Sequence, residues 1–262
     1  MNIRVLGSHG SDLMLNETGQ DRVCRCVGFL IDHTLLIDPG TGACHLTIQE
    51  QLQLTHVLLS HAHFDHIKSL PAIADNLVGL NTHPVIIASI APVLQAIRAH
   101  IFNEDIFPDF FHLPTPDEPV LADQILTPAK EIMLGHLGIT PYEVNHTIPC
   151  SGYLVREHQT SWVFSGDTHQ TEALWNAAKQ DPHLKAAFIE TSFPDEMLTM
   201  ANTSKHLTPS LLAQEFQKIG RPDLPLFIYH MKPRFRDRIA QQLARLKIPN
   251  LHILEEDEEI SI

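Results

Sequence analysis

No apolar run in this chain approaches the roughly 18 to 20 residues that a helix needs to cross a bilayer. The longest, such as Val57-Leu58-Leu59, are strand-sized, which excludes a transmembrane helix and leaves a membrane partner unexpected. Cysteine is scarce. The four, at positions 24, 26, 44 and 150, are too few for a disulfide framework, and Cys24 and Cys26 suit one face of a strand better than a mutual bridge. Basic side chains are outnumbered: 18 Lys and Arg against 31 Asp and Glu leave a net charge of −13 with histidine neutral. A field of that sign works against gripping a phosphate backbone, so nucleic acid is not expected as a partner. Part of the surplus lies in Glu255-Glu256-Asp257-Glu258-Glu259, which reads as a solvated end of the fold. The first residues, Met1 to Gly7, meet a Gly-Ser-His-Gly-Ser turn without a long apolar region and a small-residue cleavage site, so a cytoplasmic location is expected. There is no Gly/Ser linker, low-complexity tract or short-period repeat, so residues 1–262 are expected to form one domain.

The chain is 44% hydrophobic, enough for a substantial core at this length. Short apolar runs at Ile3 to Leu6, Val27 to Ile31, Thr34 to Ile37, Val57 to Leu59, Val85 to Ala88, Trp162 to Phe164, Ala187 to Ile189, Leu226 to Tyr229 and Leu251 to Leu254 read as buried strands. Helical patterns lie at Ala91 to Ile101, Glu172 to Lys179, Pro209 to Ile219 and Arg236 to Leu246, the third opening with Thr208 as cap and Pro209 in the first turn. This is a layered α/β chain. The stretch Asn103 to Gly138, with prolines at 108, 114, 116, 119 and 128, is the least regular and is expected to form a lid or pocket wall, with a dimer contact as the alternative.

Histidine is the abundant titratable residue: 18, as many as Lys and Arg together. Its densest cluster is Ser60-His61-Ala62-His63-Phe64-Asp65-His66, directly after the strand run Val57 to Leu59. Layered α/β folds assemble sites at strand ends, where rigid backbone delivers side chains to a shared crevice. His61 and His63, two apart in extended chain, can face one metal, and Asp65 and His66, entering a turn and helix, a second. Three other strand ends finish on ligand-type residues: His146, Asp167 and His230. The consistent assignment gives His61, His63 and His146 to one cation and Asp65, His66 and His230 to the other, with the Asp167 carboxylate bridging both. Two divalent ions are therefore expected, zinc first, with iron or manganese as alternatives.

At these residues the sequence resembles the metallo-β-lactamase superfamily, whose H-x-H-x-D-H, later His, later Asp and final His occur here in order. The resemblance spans nearly the whole chain and implies a four-layer αβ/βα sandwich, with the metals at one edge of two packed sheets. It also implies that Asp38, in Leu36-Ile37-Asp38-Pro39-Gly40, orients a ligand histidine through a hydrogen bond. A narrower likeness, to class II cyclic-nucleotide phosphodiesterases, rests on Ile101 to Phe110, Asn145-His146 with Ser151-Gly152, Ser165-Gly166-Asp167-Thr168, Ile189 to Pro194, Lys205 to Pro209 and Tyr229 to Pro233.

Phosphodiester cleavage needs an in-line nucleophile, charge stabilisation on the phosphoryl oxygens and protonation of the leaving oxygen. His206, Glu190 and Asp65 are the catalytic candidates, with His206 as the acid and Glu190 fixing its tautomer and raising its pKa. Phe107, Phe110 and Phe193 are candidates to clamp a purine, and Lys232, with Lys205 and Arg234, to meet the phosphate. The expected activity is hydrolysis of 3′,5′-cyclic nucleotides, cyclic AMP first, to 5′-monophosphates. A tRNA 3′-processing endonuclease, whose family carries a comparable Glu and His, a lactone or thioester hydrolase, and a di-iron oxygen-binding or redox protein are the alternatives.

Overall fold

The computed structural model describes residues 1–17 and 20–262. Two mixed seven-stranded sheets form its centre. In the first, the strands run Leu121–Ile125, Val85–Ser89, His56–Leu58, Leu35–Ile37, Gly28–Ile31, Asn2–Gly7 and Glu259–Ser261. The second runs Ile132–Leu134, Leu137–Glu143, Ser151–Glu157, Thr160–Phe164, Leu184–Glu190, Leu226–Tyr229 and Leu251–Ile253. Each sheet is parallel along one half and antiparallel along the other.

The sheets pack face to face through Ile3, Val5, Phe29, Ile31 and Leu35 on one side and Tyr153, Val155, Trp162, Phe164 and Phe188 on the other. Phe29 is the hinge of this contact, its ring edge-on to Phe164, Phe188 and Tyr229 with centroids 5.8, 5.9 and 5.6 Å away. Helices Leu70–Leu77 and Ala91–His100 cover the outer face of the first sheet, and Ala173–Gln180, Pro209–Ile219 and Arg236–Leu246 that of the second. The result is a four-layer αβ/βα sandwich of the metallo-β-lactamase type, as expected. Strands such as Leu35–Ile37 are apolar on both faces because both faces are covered.

Three expectations are corrected. The stretch Asn103 to Gly138 is more regular than its prolines suggest, since Leu121–Ile125 pairs in parallel with Val85–Ser89 and Ile132–Leu134 caps the second sheet. The strand expected to finish on His146 is Leu137–Glu143 and ends before it, and Pro141, a residue that usually marks a strand edge, faces Tyr153 within its ladder. The acidic run is not merely solvated: Glu259–Ser261 pairs with the first strand, and Glu256 reaches the buried His9. Cys26, Cys44 and Cys150 are free thiols.

Candidate metal centre

The parallel halves of the two sheets end at the same edge, and their ends carry the chemistry. Asp38 follows Leu35–Ile37, the His61 to His66 cluster follows His56–Leu58, Asp167 follows Thr160–Phe164, Glu190 closes Leu184–Glu190, and His230 follows Leu226–Tyr229. His146 comes from the turn after the antiparallel strand Leu137–Glu143.

Donor atoms of His61, His63, His146 and Asp167 lie within 4.8 Å of one another, and so do those of Asp65, His66 and His230. The His63 Nδ1 sits 3.0 Å from both His61 Nε2 and His146 Nε2. The hydrogen bonds on the far side of each ring decide what faces inward. Ser60 Oγ donates to Asp38 Oδ2 (2.6 Å), so it accepts from His61 Nδ1 (2.9 Å). His146 Nδ1 donates to the Lys205 carbonyl (3.1 Å). Both rings therefore turn a bare Nε2 inward, and with neutral rings the three inward nitrogens share at most one proton. That donor set suits a cation.

On the other side, His66 Nδ1 donates to Asp38 Oδ2 (2.8 Å). Ser192 Oγ donates to Glu190 Oε2 (2.9 Å) and so accepts from His230 Nδ1 (2.8 Å). Asp167 lies between the groups: its Oδ2 is 3.3 Å from both His66 Nε2 and His230 Nε2 and 3.6 Å from His61 Nε2. Its Oδ1 is buried with no hydrogen-bond partner. An orphaned carboxylate oxygen beside two sets of imidazole donors is what a bridging ligand presents, so the residues fit a pair of divalent ions.

The electrostatics differ between the two groups. Burial, helped by the charge of His146, pushes His63 down to about 4, and burial holds His61 well below its ordinary value. His66 is buried as well, yet Asp167 and Asp38 on its two sides lift it well above the histidine range. Burial would raise Asp65, but the neighbouring His230 ring and the charge of His66 outweigh it and hold the carboxyl ionised.

Beside the cluster, Glu190 is fully buried; its Oε1 accepts from His206 Nδ1 (2.7 Å) and from the Thr168 amide (3.1 Å). The His206 ring stacks on His230 with centroids 5.2 Å apart, and its Nδ1 is 3.9 Å from Asp167 Oδ2. Burial lowers the His206 pKa, but the Glu190 carboxylate more than compensates, and the net shift is upward.

The candidate substrate residues divide. Phe193 is at the site, its ring 5.9 Å from that of His206. Lys232 is also there, with Nζ 3.7 Å from Asp65 Oδ2 and bonded to the Gly10 carbonyl. Phe110 is not available to a ligand: it is 3% exposed in the outer core, against Phe102 and Phe107. Phe107 is half-buried in the same cluster. A purine clamp at Phe110 is therefore corrected to a packing role. Arg234 rests over the Phe235 ring, and Lys205 serves through its backbone carbonyl.

Sequence reasoning gave no role to Ser60 and Ser192, which relay hydrogen bonds from Asp38 and Glu190 to His61 and His230. Their signal was adjacency, since each lies within two residues of a candidate site residue.

The same architecture occurs in solved structures. The protein superposes on the metallo-β-lactamase fold protein YhfI from Bacillus subtilis over 99% of both chains, at 13% identity and a TM-score of 0.76. Unliganded PDE1 from yeast matches over 98% of both chains, at 18% identity and a TM-score of 0.78. The short form of human tRNase Z matches over 100% of this chain and 99% of its own, at 16% identity and a TM-score of 0.67. Among curated proteins, ribonuclease Z from Marinobacter nauticus is 29% identical over 130 residues, which span 47% of this chain and only 36% of that relative. The family model of the β-lactamase superfamily domain matches residues 33–231, and the chain belongs to that superfamily.

Proposed function

We propose that this protein is a dinuclear metal-dependent phosphodiesterase that hydrolyses 3′,5′-cyclic nucleotides, cyclic AMP first, to nucleoside 5′-monophosphates. Membership of a superfamily of metallo-hydrolases supports hydrolysis in general. The observation that carries the phosphodiester reading is the Glu190–His206 pair, a buried acid couple stacked against the His230 side of the cluster.

His61, His63 and His146 would hold one divalent ion, zinc first, and Asp65, His66 and His230 the other, with Asp167 between them. Bound there, the ions supply Lewis acidity toward the phosphoryl oxygens and make water a nucleophile near neutral pH. The protein's own part is orientation and proton delivery. Glu190 accepts the Nδ1 proton of His206 and so fixes the tautomer and raises the basicity of the ring. A protonated His206 can then give its Nε2 proton to the departing 3′-oxygen, and Glu190 stabilises the imidazolium before that transfer. Phe193, edge-on to His206, forms an apolar wall beside this acid, and Lys232 places a positive charge next to Asp65.

A second reading, a ribonuclease Z-type activity, is favoured by the 29% identity to that curated relative and by the fit to human tRNase Z. The net charge of −13 speaks for the small substrate over a polyanion. Phosphorus NMR on zinc-loaded protein with 3′,5′-cyclic AMP separates the cyclic diester from 5′- and 3′-monoesters. The expected product is 5′-AMP; inert cyclic AMP and cyclic GMP together with cleavage of a tRNA precursor would overturn the proposal in favour of the second reading.

A further inference from the structure

His230 has a backbone that a non-glycine residue adopts only under constraint, with φ at +67°. What constrains it is the loop after the first strand. The His230 amide donates to the Ser8 carbonyl (2.6 Å), the Gly10 amide donates to the Met231 carbonyl (3.1 Å), and Lys232 Nζ donates to the Gly10 carbonyl. The approach is so close that a Cβ at Gly10 would lie 2.7 Å from the His230 carbonyl oxygen and 2.8 Å from its ring Cε1. Only glycine fits there.

The loop is pinned in turn by its central residue. His9 is 1% exposed, and its Nδ1 donates to Glu256 Oε1 across 2.6 Å. Its Nε2 is buried without a hydrogen-bond partner, so Glu256 and the neighbouring Ser8 hydroxyl are the polar groups that anchor the ring. The same Glu256 oxygen accepts from the Arg25 amide (3.1 Å), while Arg25 Nη2 donates to Asp257 Oδ2 (2.7 Å).

We infer that Glu256 is a positioning residue for the cation site formed by Asp65, His66 and His230, acting through His9 and the Ser8–Gly10 loop. It touches no ligand atom itself; it sets the loop that holds His230 in its constrained backbone. The inference rests on the two-cation reading, and among the described residues no such chain of hydrogen bonds runs from Glu256 to His61, His63 and His146. The two sites should therefore respond differently.

The test is zinc titration of metal-stripped protein against a chromophoric chelator, which reads each affinity without any turnover. Wild type is expected to bind two ions. Glu256→Ala is expected to weaken one site by about 10- to 100-fold, the range for lost outer hydrogen bonds of metal ligands, and to leave the other unchanged. Glu256→Gln, which keeps an acceptor for His9, is expected to restore most of the loss. Glu259→Ala, which removes an equal charge from an exposed position of the same acidic run, is expected to leave both sites intact. The unaffected site reports that each variant is folded. Two wild-type affinities that survive Glu256→Ala unchanged, or fall together, would overturn the inference while the metal reading stands. Fewer than two ions on wild type would remove both.

Discussion

His206 shows how one residue is set for its task by its surroundings. Desolvation alone would push the pKa of a buried imidazole down, but the Glu190 carboxylate at 2.7 Å turns the net shift upward. A group that must be protonated to act loses activity as pH rises through its pKa, so the alkaline limb of the rate profile belongs to His206. Glu190→Gln removes the stabilising charge and lowers that pKa, so the limb is expected to move to lower pH. His206→Ala is expected to slow turnover by about 10²- to 10⁴-fold, the usual worth of a general acid, with metal content unchanged. Metal analysis beside pH-dependent kinetics checks both. A limb that stays in place in Glu190→Gln would remove Glu190 from the role, and full turnover in His206→Ala would remove the acid.

Among the elements, the segment Phe102 to Phe111 separates what a sequence shows from what it conceals. Phe107 and Phe110, in a motif that resembles cyclic-nucleotide phosphodiesterases, suggest a base clamp, yet Phe110 is nearly fully buried with Phe102 and Phe111, and the rings of Phe107, Phe110 and Phe111 pack edge-on around Phe102. Their place in the outer core depends on how the flanking helix Ala91–His100 and strand Leu121–Ile125 pack on the first sheet, which the local sequence does not show. Phe110→Ala is therefore expected to cost about 3 to 5 kcal/mol in urea unfolding, the range for emptying an aromatic site in a core. The KM for cyclic AMP is expected to hold, whereas Phe193→Ala is expected to raise it. A Phe110→Ala protein with wild-type stability and a raised KM would return that ring to the ligand. The grouping of the candidate metal ligands was legible for the opposite reason. Strand runs such as Val57 to Leu59 announce themselves by being wholly apolar, and a ligand cluster immediately after one is confined to the sheet edge by local geometry alone. Ser60, Ser192 and Gly10 gave no such signal, because a serine relay or a close backbone approach exists only once two sheets have met. Pro141 concealed the first half of a strand whose end was read before His146, and Glu256 looked like one charge among five.

At the scale of the whole molecule, the charge of −13 stays negative even with two divalent cations bound, so the far field repels an anionic diester while the metal edge attracts it locally. Salt screens the long-range part first, because the Debye length falls from about 30 Å at 0.01 M to about 8 Å at 0.15 M ionic strength. Short-range contacts within the cluster, buried between sheet ends, are screened much less. The kcat/KM for cyclic AMP is therefore expected to rise between those two salt concentrations, with kcat nearly constant, since the repulsion acts on encounter and not on the bound complex. A protein built to grip a polyanion would show the reverse, because each phosphate contact releases counterions and loses affinity as salt increases. Initial rates at low substrate across a salt series distinguish the two. A steep fall with salt would mean that a basic surface guides the substrate in spite of the net charge, and would shift the balance toward an RNA.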